Sequence, residues 1–186
     1  ALAIKEVYET LPSEMQHVLE AISERVKEDK MPLLSLLSPD PFQVQSSHLS
    51  FQEYFAARSI CLPETRFPAG SKPPWQWPPW WANALKLGIE MGDPFVHGLH
   101  RASGVGSALN LSNRRIGGDR PTAIKAVGVL MASLTAADTR KNEIDGESAE
   151  QLAAAVLGSS SLVVFGDIPM KELRADELTT LDMKEK

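Results

Sequence analysis

Residues 106–157 contain two stretches that match each other at a constant offset of 28 residues. Ile116 aligns with Ile144, and in the following helical stretches Ala126 aligns with Ala154. A constant period of this size is typical of chains in which each unit is one strand–helix element that buries its apolar side against its neighbours. The period therefore predicts a repeat architecture in which strands and helices alternate.

Each unit begins with a short apolar strand and continues into a helix, which we predict at Pro121–Met131 and at Ser148–Leu157. The framework positions of strands and turns are Leu109, Leu111, Ile116, Leu134, Asn142, Ile144, Leu162, Leu178 and Leu181. After Leu162 the spacing becomes irregular, and two further strand turns are predicted, the second at Leu178–Met183. That last strand is expected to leave an open sheet edge, which would make the repeat half the weaker module.

The first 60 residues have helical periodicity. We predict helices at 3–10, from Pro12 through Val26, at Leu33–Leu37 and from Ser50 to Ile60, with a strand at Phe42–Ser46. This order is compatible with a winged-helix remnant joined to a helical bundle.

The run HLSFQEYFAA, residues 48–57, has strong local signals. Ser50 and Glu53 have the spacing of a capping box at the start of a helix. Phe51 and Phe55 then fall on one helical face, so we expect both rings in the core, with His48 ordering the turn before the helix.

This run resembles the H-x-S-F-Q-E-x-x-A-A motif of NACHT-type signalling NTPases, the STAND class, where it ends the helical region and precedes the sensor repeats. The second half resembles leucine-rich repeats of the ribonuclease-inhibitor type, with the pattern L-x-x-L-x-L-x-x-N-x-I. This resemblance implies the first turns of an α/β solenoid with a short parallel sheet. Asn142 occupies the asparagine position of the second unit, whereas the first unit has Arg114 there. Asn113 is adjacent and could shift to take the capping role.

The resemblance implies three parts: a NACHT-associated helical region at 1–60, a Pro/Trp-rich strap with short helices at 61–105, and incomplete leucine-rich repeats at 106–186. It implies a non-catalytic scaffold or sensor fragment without a cofactor. The partner would be a protein ligand or the upstream nucleotide-binding domain of the same chain, held in an autoinhibitory contact. The ATP site of such a protein would lie upstream of Ala1.

Prolines and all four tryptophans concentrate in residues 61–81. One interpretation is a polyproline-like strap whose indoles cover a junction between modules. The alternatives are a ligand for SH3 or WW domains and an exposed aromatic patch that binds a protein. The side chains concerned are Trp75, Trp77, Trp80 and Trp81.

The formal net charge of −5 and the pI of about 5.4 argue against nucleic acid and against a polybasic membrane contact. A single cysteine, Cys61, excludes an intrachain disulfide and favours a reducing, cytoplasmic setting. The chain starts at Ala1 with neither an initiator methionine nor a signal peptide, which we interpret as a fragment of a longer protein.

Motifs for catalysis are weak. The sequence has no G-x-x-x-x-G-K-[ST] phosphate loop. His97 and His100 are three residues apart, as two metal ligands on one helix would be, but Asp93 is the only carboxylate near them. We therefore predict no catalytic, cofactor or metal site. A small helical hydrolase or metal-binding enzyme and a free-standing adaptor with a tryptophan-rich surface remain the alternatives.

Overall fold

The structure is a computed structural model that describes residue 8 and residues 11–40, 42–117, 120–144 and 146–174. It is mixed α/β and divides into two compact units, Ala1–Phe55 and Ala56–Lys186, here called the N-terminal and C-terminal units. The boundary falls inside helix α2 (Leu49–Ile60). Residues 61–105, predicted as a separate part, belong to the same unit as the repeats.

The N-terminal unit contains helix α1 (Ser13–Lys27), strands β1 (Leu34–Pro39) and β2 (Phe42–Ser46), and the first half of α2. The strands form an antiparallel hairpin in which Leu36 pairs with Val44. As expected, α1 follows directly on Pro12.

The predicted helix at Leu33–Leu37 is wrong, since most of this segment is strand β1. Pro32 and Pro39 leave room for fewer than two helical turns between them, and a helix that short is unstable. When Leu34–Pro39 is extended, its backbone pairs with the alternating segment Phe42–Ser46 and satisfies N–H and C=O groups of both segments.

Helix α2 begins at Leu49, one residue before the prediction, so Ser50 lies in its first turn and not at the N-cap. The carbonyl of His48 accepts hydrogen bonds from the N–H groups of Phe51 and Gln52. The rings of His48 and Phe51 lie 5.7 Å apart. His48 therefore stands at the start of the helix, as expected, but the capping role assigned to Ser50 is wrong.

The N-terminal unit buries few of its apolar side chains. Among its described residues only Val26 is fully buried, while Met15 and Val18 of the same helix are exposed. Phe51 is half-buried and Phe55 is 54% exposed. The prediction that both rings belong to a core is wrong.

The C-terminal unit continues from α2 into two 3-10 turns, Pro74–Gln76 and Pro79–Trp81. Its further elements are α3 (Ala82–Glu90), α4 (Asp93–Ser103), β3 (Ala108–Asn110), α5 (Pro121–Met131), β4 (Ala136–Asp138), α6 (Gly146–Gly158), β5 (Val164–Phe165), β6 (Ile168–Pro169) and α7 (Met170–Arg174). Helix α5 has the predicted bounds, and α6 extends its predicted range by two residues at the start and one at the end.

The sheet has the order β3-β4-β5-β6. Strands β3, β4 and β5 are parallel, and Ala108 pairs with Ala136, which in turn pairs with Val164. Each pairing joins residues 28 positions apart, so the sequence period is the register of the sheet. Helices α5 and α6 make the crossovers between the parallel strands.

Strand β6 is antiparallel to β5 and follows it through a turn at Gly166, whose φ is +62°. Its second residue, Pro169, has no N–H to offer a further strand. Because β6 pairs with β5, the outer edge of β5 is not open. The predicted strand with Leu178, Leu181 and Met183, and nearly all of the predicted helix at 3–10, lie outside the described residues.

The C-terminal unit contains a continuous apolar core. Its largest fully buried side chains are Phe95, Leu85, Leu99, Leu111, Ile116, Ile124, Leu130, Met131, Leu134, Leu162, Met170 and Val127. We expected the repeat half to be the weaker module. Among the described residues, the unit with the repeats instead has the larger number of fully buried side chains. Helices also approach closely here, since a Cβ at Gly98 would lie 2.1 Å from the Ile60 carbonyl oxygen.

Candidate functional site on the exposed face of the parallel sheet

Side chains alternate between the two faces of the parallel strands. Leu109 and Ala137 point into the core, and their neighbours Asn110 and Asp138 point outward. Val164 of β5 is also exposed. We define the exposed face of the parallel sheet by Ala108, Asn110, Ala136, Asp138, Arg140, Val164 and Asp167.

The turns after β3 and β4 contain the same hydrogen bond from a backbone N–H to a side-chain oxygen. The Ser112 N–H donates to Asn110 Oδ1 at 2.9 Å, and the Arg140 N–H donates to Asp138 Oδ1 at 3.0 Å. Both are Asx turns, in which a side-chain oxygen replaces a backbone acceptor. Because positions 110 and 138 are one period apart, the exposed face has the same backbone shape twice.

Left-handed backbone conformations also recur at this period. Asn113 and Lys141 have φ of 55° and 58°, and Arg115 and Glu143 have φ of 54° and 52°. Residues with a Cβ rarely adopt this conformation, because the Cβ crowds the following carbonyl. Such a pattern in two consecutive loops indicates that the fold, and not the local sequence, imposes the loop shape.

Asn142 is 3% exposed and joins the two loops. Its Oδ1 accepts from the N–H groups of Arg114 and Ile116, at 2.9 and 3.2 Å. Its Nδ2 donates to the carbonyls of Leu111, Thr139 and Arg140. Asn113 is exposed, and its side chain makes no hydrogen bond within the described residues, so the expected shift of the capping role to it is wrong. The asparagine of the second unit caps the backbone of the first.

Arg140 links the second parallel strand to the terminal hairpin. Its guanidinium donates to Asp138, with Nη2 2.7 Å from Oδ2, and also pairs with Asp167 after Gly166. The hydrogen bond from Arg140 lowers the pKa of Asp138 below its usual value, against a smaller opposing effect of burial. The same bond raises the pKa of Arg140. The three side chains place two carboxylates and one guanidinium on the exposed face.

The structure shows how deeply the repeat framework positions up to Leu162 are buried. Leu109, Leu111, Ile116, Leu134, Asn142 and Leu162 are buried, Ile144 is half-buried, and Leu178 and Leu181 lie outside the described residues. Sequence reasoning missed the exposed residues Asn110, Asp138 and Arg140. The available signal was the pair of Asx residues 28 positions apart, each directly after an apolar strand position.

The four tryptophans do not form one surface. Trp77 is 6% exposed and stacks on Trp81 at 4.4 Å, with Phe67 against its edge, so it is a core residue and not part of an exposed aromatic patch. Trp75 and Trp81 are half-buried against the same core. Only Trp80, at 76% exposed, has the accessibility that the predicted protein contact requires.

The candidate catalytic groups lie apart from the exposed face. The ring Nε2 of His100 lies 2.9 Å from the Gly106 carbonyl oxygen, and His97 is exposed. Burial raises the pKa of the Cys61 thiol in spite of Arg58 and Arg101 nearby, and a raised pKa disfavours the nucleophilic thiolate. Among the described residues, no three histidine, cysteine or acidic side chains converge as metal ligands would.

Comparison with protein-family models, with curated proteins and with solved structures finds no match to this chain. No described helix combines the length and the apolar character that crossing a bilayer requires.

Proposed function

We propose that this chain is a non-catalytic, cytoplasmic scaffold or sensor segment that presents the exposed face of its repeat sheet to a protein. The observation that carries the proposal is the 28-residue register of three parallel strands, with matching Asx turns and left-handed loop residues. Repeats of this kind produce an extended surface whose shape is set by the backbone, and such surfaces commonly bind proteins.

The buried Asn142 and the 28-residue period support an assignment to ribonuclease-inhibitor-type leucine-rich repeats. Together with the HLSFQEYFAA run, they support a place in a NACHT-like signalling protein. In that setting the partner is either an external protein or the nucleotide-binding domain of the same polypeptide. The exposed face has an aliphatic position at Val164 beside the Asp138–Arg140–Asp167 charge group, a mixture typical of protein interfaces.

Site-specific photo-crosslinking tests this proposal. A benzoylphenylalanine is placed at Asn110 or Val164 on the exposed face, or at Lys125 or Ala153 on exposed positions of α5 and α6 as matched controls. The protein is expressed in its source cell within the longest reading frame that contains this chain. We expect the sheet positions, and not the helix positions, to crosslink to one protein or to an upstream segment of the same polypeptide. Crosslinks from the helix positions alone would overturn the proposal.

The reading frame itself provides a second test. A phosphate-loop motif upstream and further 28-residue units downstream would support the NACHT-like assignment. A frame that lacks both would overturn the assignment, although the scaffold function would still stand on the crosslinking result.

A further inference from the structure

Strand β3 lies at one edge of the sheet, whose order is β3-β4-β5-β6. The opposite edge is the two-residue strand β6, which contains Pro169. Short strands and prolines are common at sheet edges, because they offer a further strand few hydrogen-bonding groups. Strand β3 contains no proline, so its edge is the one at which a further strand can be added.

The backbone groups of β3 point alternately toward β4 and away from the sheet. The Ser107 carbonyl and the Leu111 N–H form hydrogen bonds to β4, of 3.3 and 2.8 Å. The N–H and C=O groups of Ala108 and Asn110 therefore point outward, and none of them has a hydrogen-bond partner within the described residues. Both residues are exposed, so these groups are accessible to a partner.

The chain around this edge is cationic. Residues 94–117 contain three arginines and two histidines and no acidic residue, although the whole chain has a net charge of −5. Arg114 and Arg115 are exposed, and neither forms an ion pair with a carboxylate in the described part of the chain. Their loop continues β3 directly and therefore lies at the same edge of the sheet.

The aligned positions of the second unit are more acidic. Asp138 pairs with Arg140, whereas the residue 28 positions before Asp138 is the neutral Asn110. In the same alignment Arg115 corresponds to Glu143. The first unit thus lacks two carboxylates that the second unit has, which leaves the edge with an excess of positive charge.

An open edge strand can pair with a second copy of the chain or with an extended segment of another protein. Two β3 edges that face each other would bring two cationic loops together, and like charges oppose such a contact. An acidic extended segment meets opposite charge instead, and its backbone satisfies the outward groups of the edge. The charges therefore favour an acidic partner over a second copy.

We propose that the outer edge of β3 binds an extended acidic segment of a partner protein, which adds a strand to the sheet. The backbone of the segment pairs with Ala108 and Asn110, and its carboxylates interact with Arg114 and Arg115. This inference concerns the edge of the sheet and not its exposed face, so it does not depend on the proposed function.

The test is a titration of the whole chain with the peptide acetyl-Asp-Glu-Val-Thr-Val-Asp-Glu-amide, followed by amide NMR. We expect the Ala108 and Asn110 amides to shift and to exchange more slowly with solvent. A peptide with lysine at all four acidic positions should bind about tenfold more weakly or not at all. The acidic peptide with N-methyl groups on its three central residues should also lose about tenfold, because it keeps its charge but cannot donate these hydrogen bonds. Equal binding of the N-methylated peptide would overturn the proposal, since charge alone would then explain the affinity.

Two pairs of substitutions test the cations. Arg114→Gln with Arg115→Gln should weaken binding of the acidic peptide about fivefold or more. Lys86→Gln with Lys125→Gln is the matched control, because it removes the same charge from exposed positions of α3 and α5. An equal loss with the control pair would overturn the proposal.

Ala108→Pro tests the edge itself. It removes an outward N–H, a change that edge strands tolerate, and should abolish the peptide-induced shift of the Asn110 amide. Thermal denaturation of each variant establishes that it folds, and the N-methylated peptide keeps the test open if Ala108→Pro does not. If the same amides shift when the concentration of the free protein is raised, the occupant is a second copy and the proposal is wrong.

Discussion

At the scale of single residues, Asn142 has the largest structural role of any side chain on the repeat loops. Its five hydrogen bonds reach two N–H groups and three carbonyls of loops that are neither helix nor strand. Three of these groups also have a backbone partner, since the Arg114 N–H donates to the Leu111 carbonyl and the Asn113 N–H donates to the Arg140 carbonyl. Residues in the left-handed conformation interrupt the regular backbone hydrogen bonding between neighbouring strands. The buried side-chain amide of Asn142 provides hydrogen bonds to these loops instead.

Asn142→Ala should therefore cost about 3 kcal/mol or more of unfolding free energy, since it removes five hydrogen bonds and leaves the buried Ile116 N–H and Thr139 carbonyl without this partner. Urea denaturation followed by tryptophan fluorescence measures the change. Asn110→Ala is the control, because it removes an exposed Asx turn and should cost only about 0.5–1 kcal/mol. Equal costs for the two substitutions would contradict the role given to Asn142.

Two phenylalanines differ strongly in burial, and therefore in their expected contribution to stability. Phe95 is completely buried and would contact a Cβ at Gly88 at 2.3 Å, whereas Phe55 is 54% exposed. Phe95→Ala should cost about 3–5 kcal/mol, and Phe55→Ala about 1 kcal/mol or less. Thermal denaturation of both variants measures this, and a large loss with Phe55→Ala would show that the ring is buried after all.

The charge group on the exposed face should make stability depend on pH. Because the folded-state pKa of Asp138 is lowered, its contribution is present above its unfolded pKa of about 3.9 and is lost as pH falls through the lower folded value. Asp138→Asn keeps the oxygen of the Asx turn but removes the charge. We expect the variant to be less stable by about 1 kcal/mol or less at pH 7, and the difference to disappear as pH falls through the lowered pKa of Asp138. A constant difference across the range would rule out the ion pair as its cause.

At the scale of elements, the two units differ in how completely their helices are covered. Helix α5 is buried along most of its length, while α1 leaves Met15 and Val18 exposed. The terminal hairpin is held from several sides: the Met170 N–H donates to the Val163 carbonyl at 2.8 Å, and the Gly166 N–H donates to the Ala137 carbonyl at 2.7 Å.

Native-state hydrogen exchange should follow this difference. We expect slow exchange in β4, α5 and the hairpin through Met170, and faster exchange in α1 and the β1–β2 hairpin, because local opening is easiest where few apolar contacts must break. Mass spectrometry of proteolytic fragments resolves these segments. Slower exchange in α1 than in α5 would show that the N-terminal unit is the more stable.

At the scale of the whole molecule, the proposed scaffold function requires that this chain alone does not process nucleotides. The sequence has no phosphate loop, and we expect no micromolar affinity for ATP or ADP with magnesium in calorimetry. Micromolar binding of either nucleotide would contradict the scaffold function.

The sequence by itself determined the features that depend on local periodicity. The local apolar pattern predicted the bounds of α5, and the 28-residue offset predicted repeated strand–helix units with buried positions such as Leu111 and Leu134. The parallel sheet was an expectation from the resemblance to leucine-rich repeats. The limits of local periodicity appear at Leu33–Leu37, where an apolar run fits a helix or a strand, and only the pairing partner β2 decides between them.

The tertiary structure alone decided what depends on neighbours distant in sequence. It placed Trp77 in a core and Trp80 in solvent, although both lie in the same proline-rich run. It paired β5 with the antiparallel strand β6, which the repeat pattern did not predict. It also brought Lys72 to the start of α5, 48 positions before Arg120 in the chain. Such juxtapositions follow from packing between elements, and short-range sequence patterns do not encode which elements will meet.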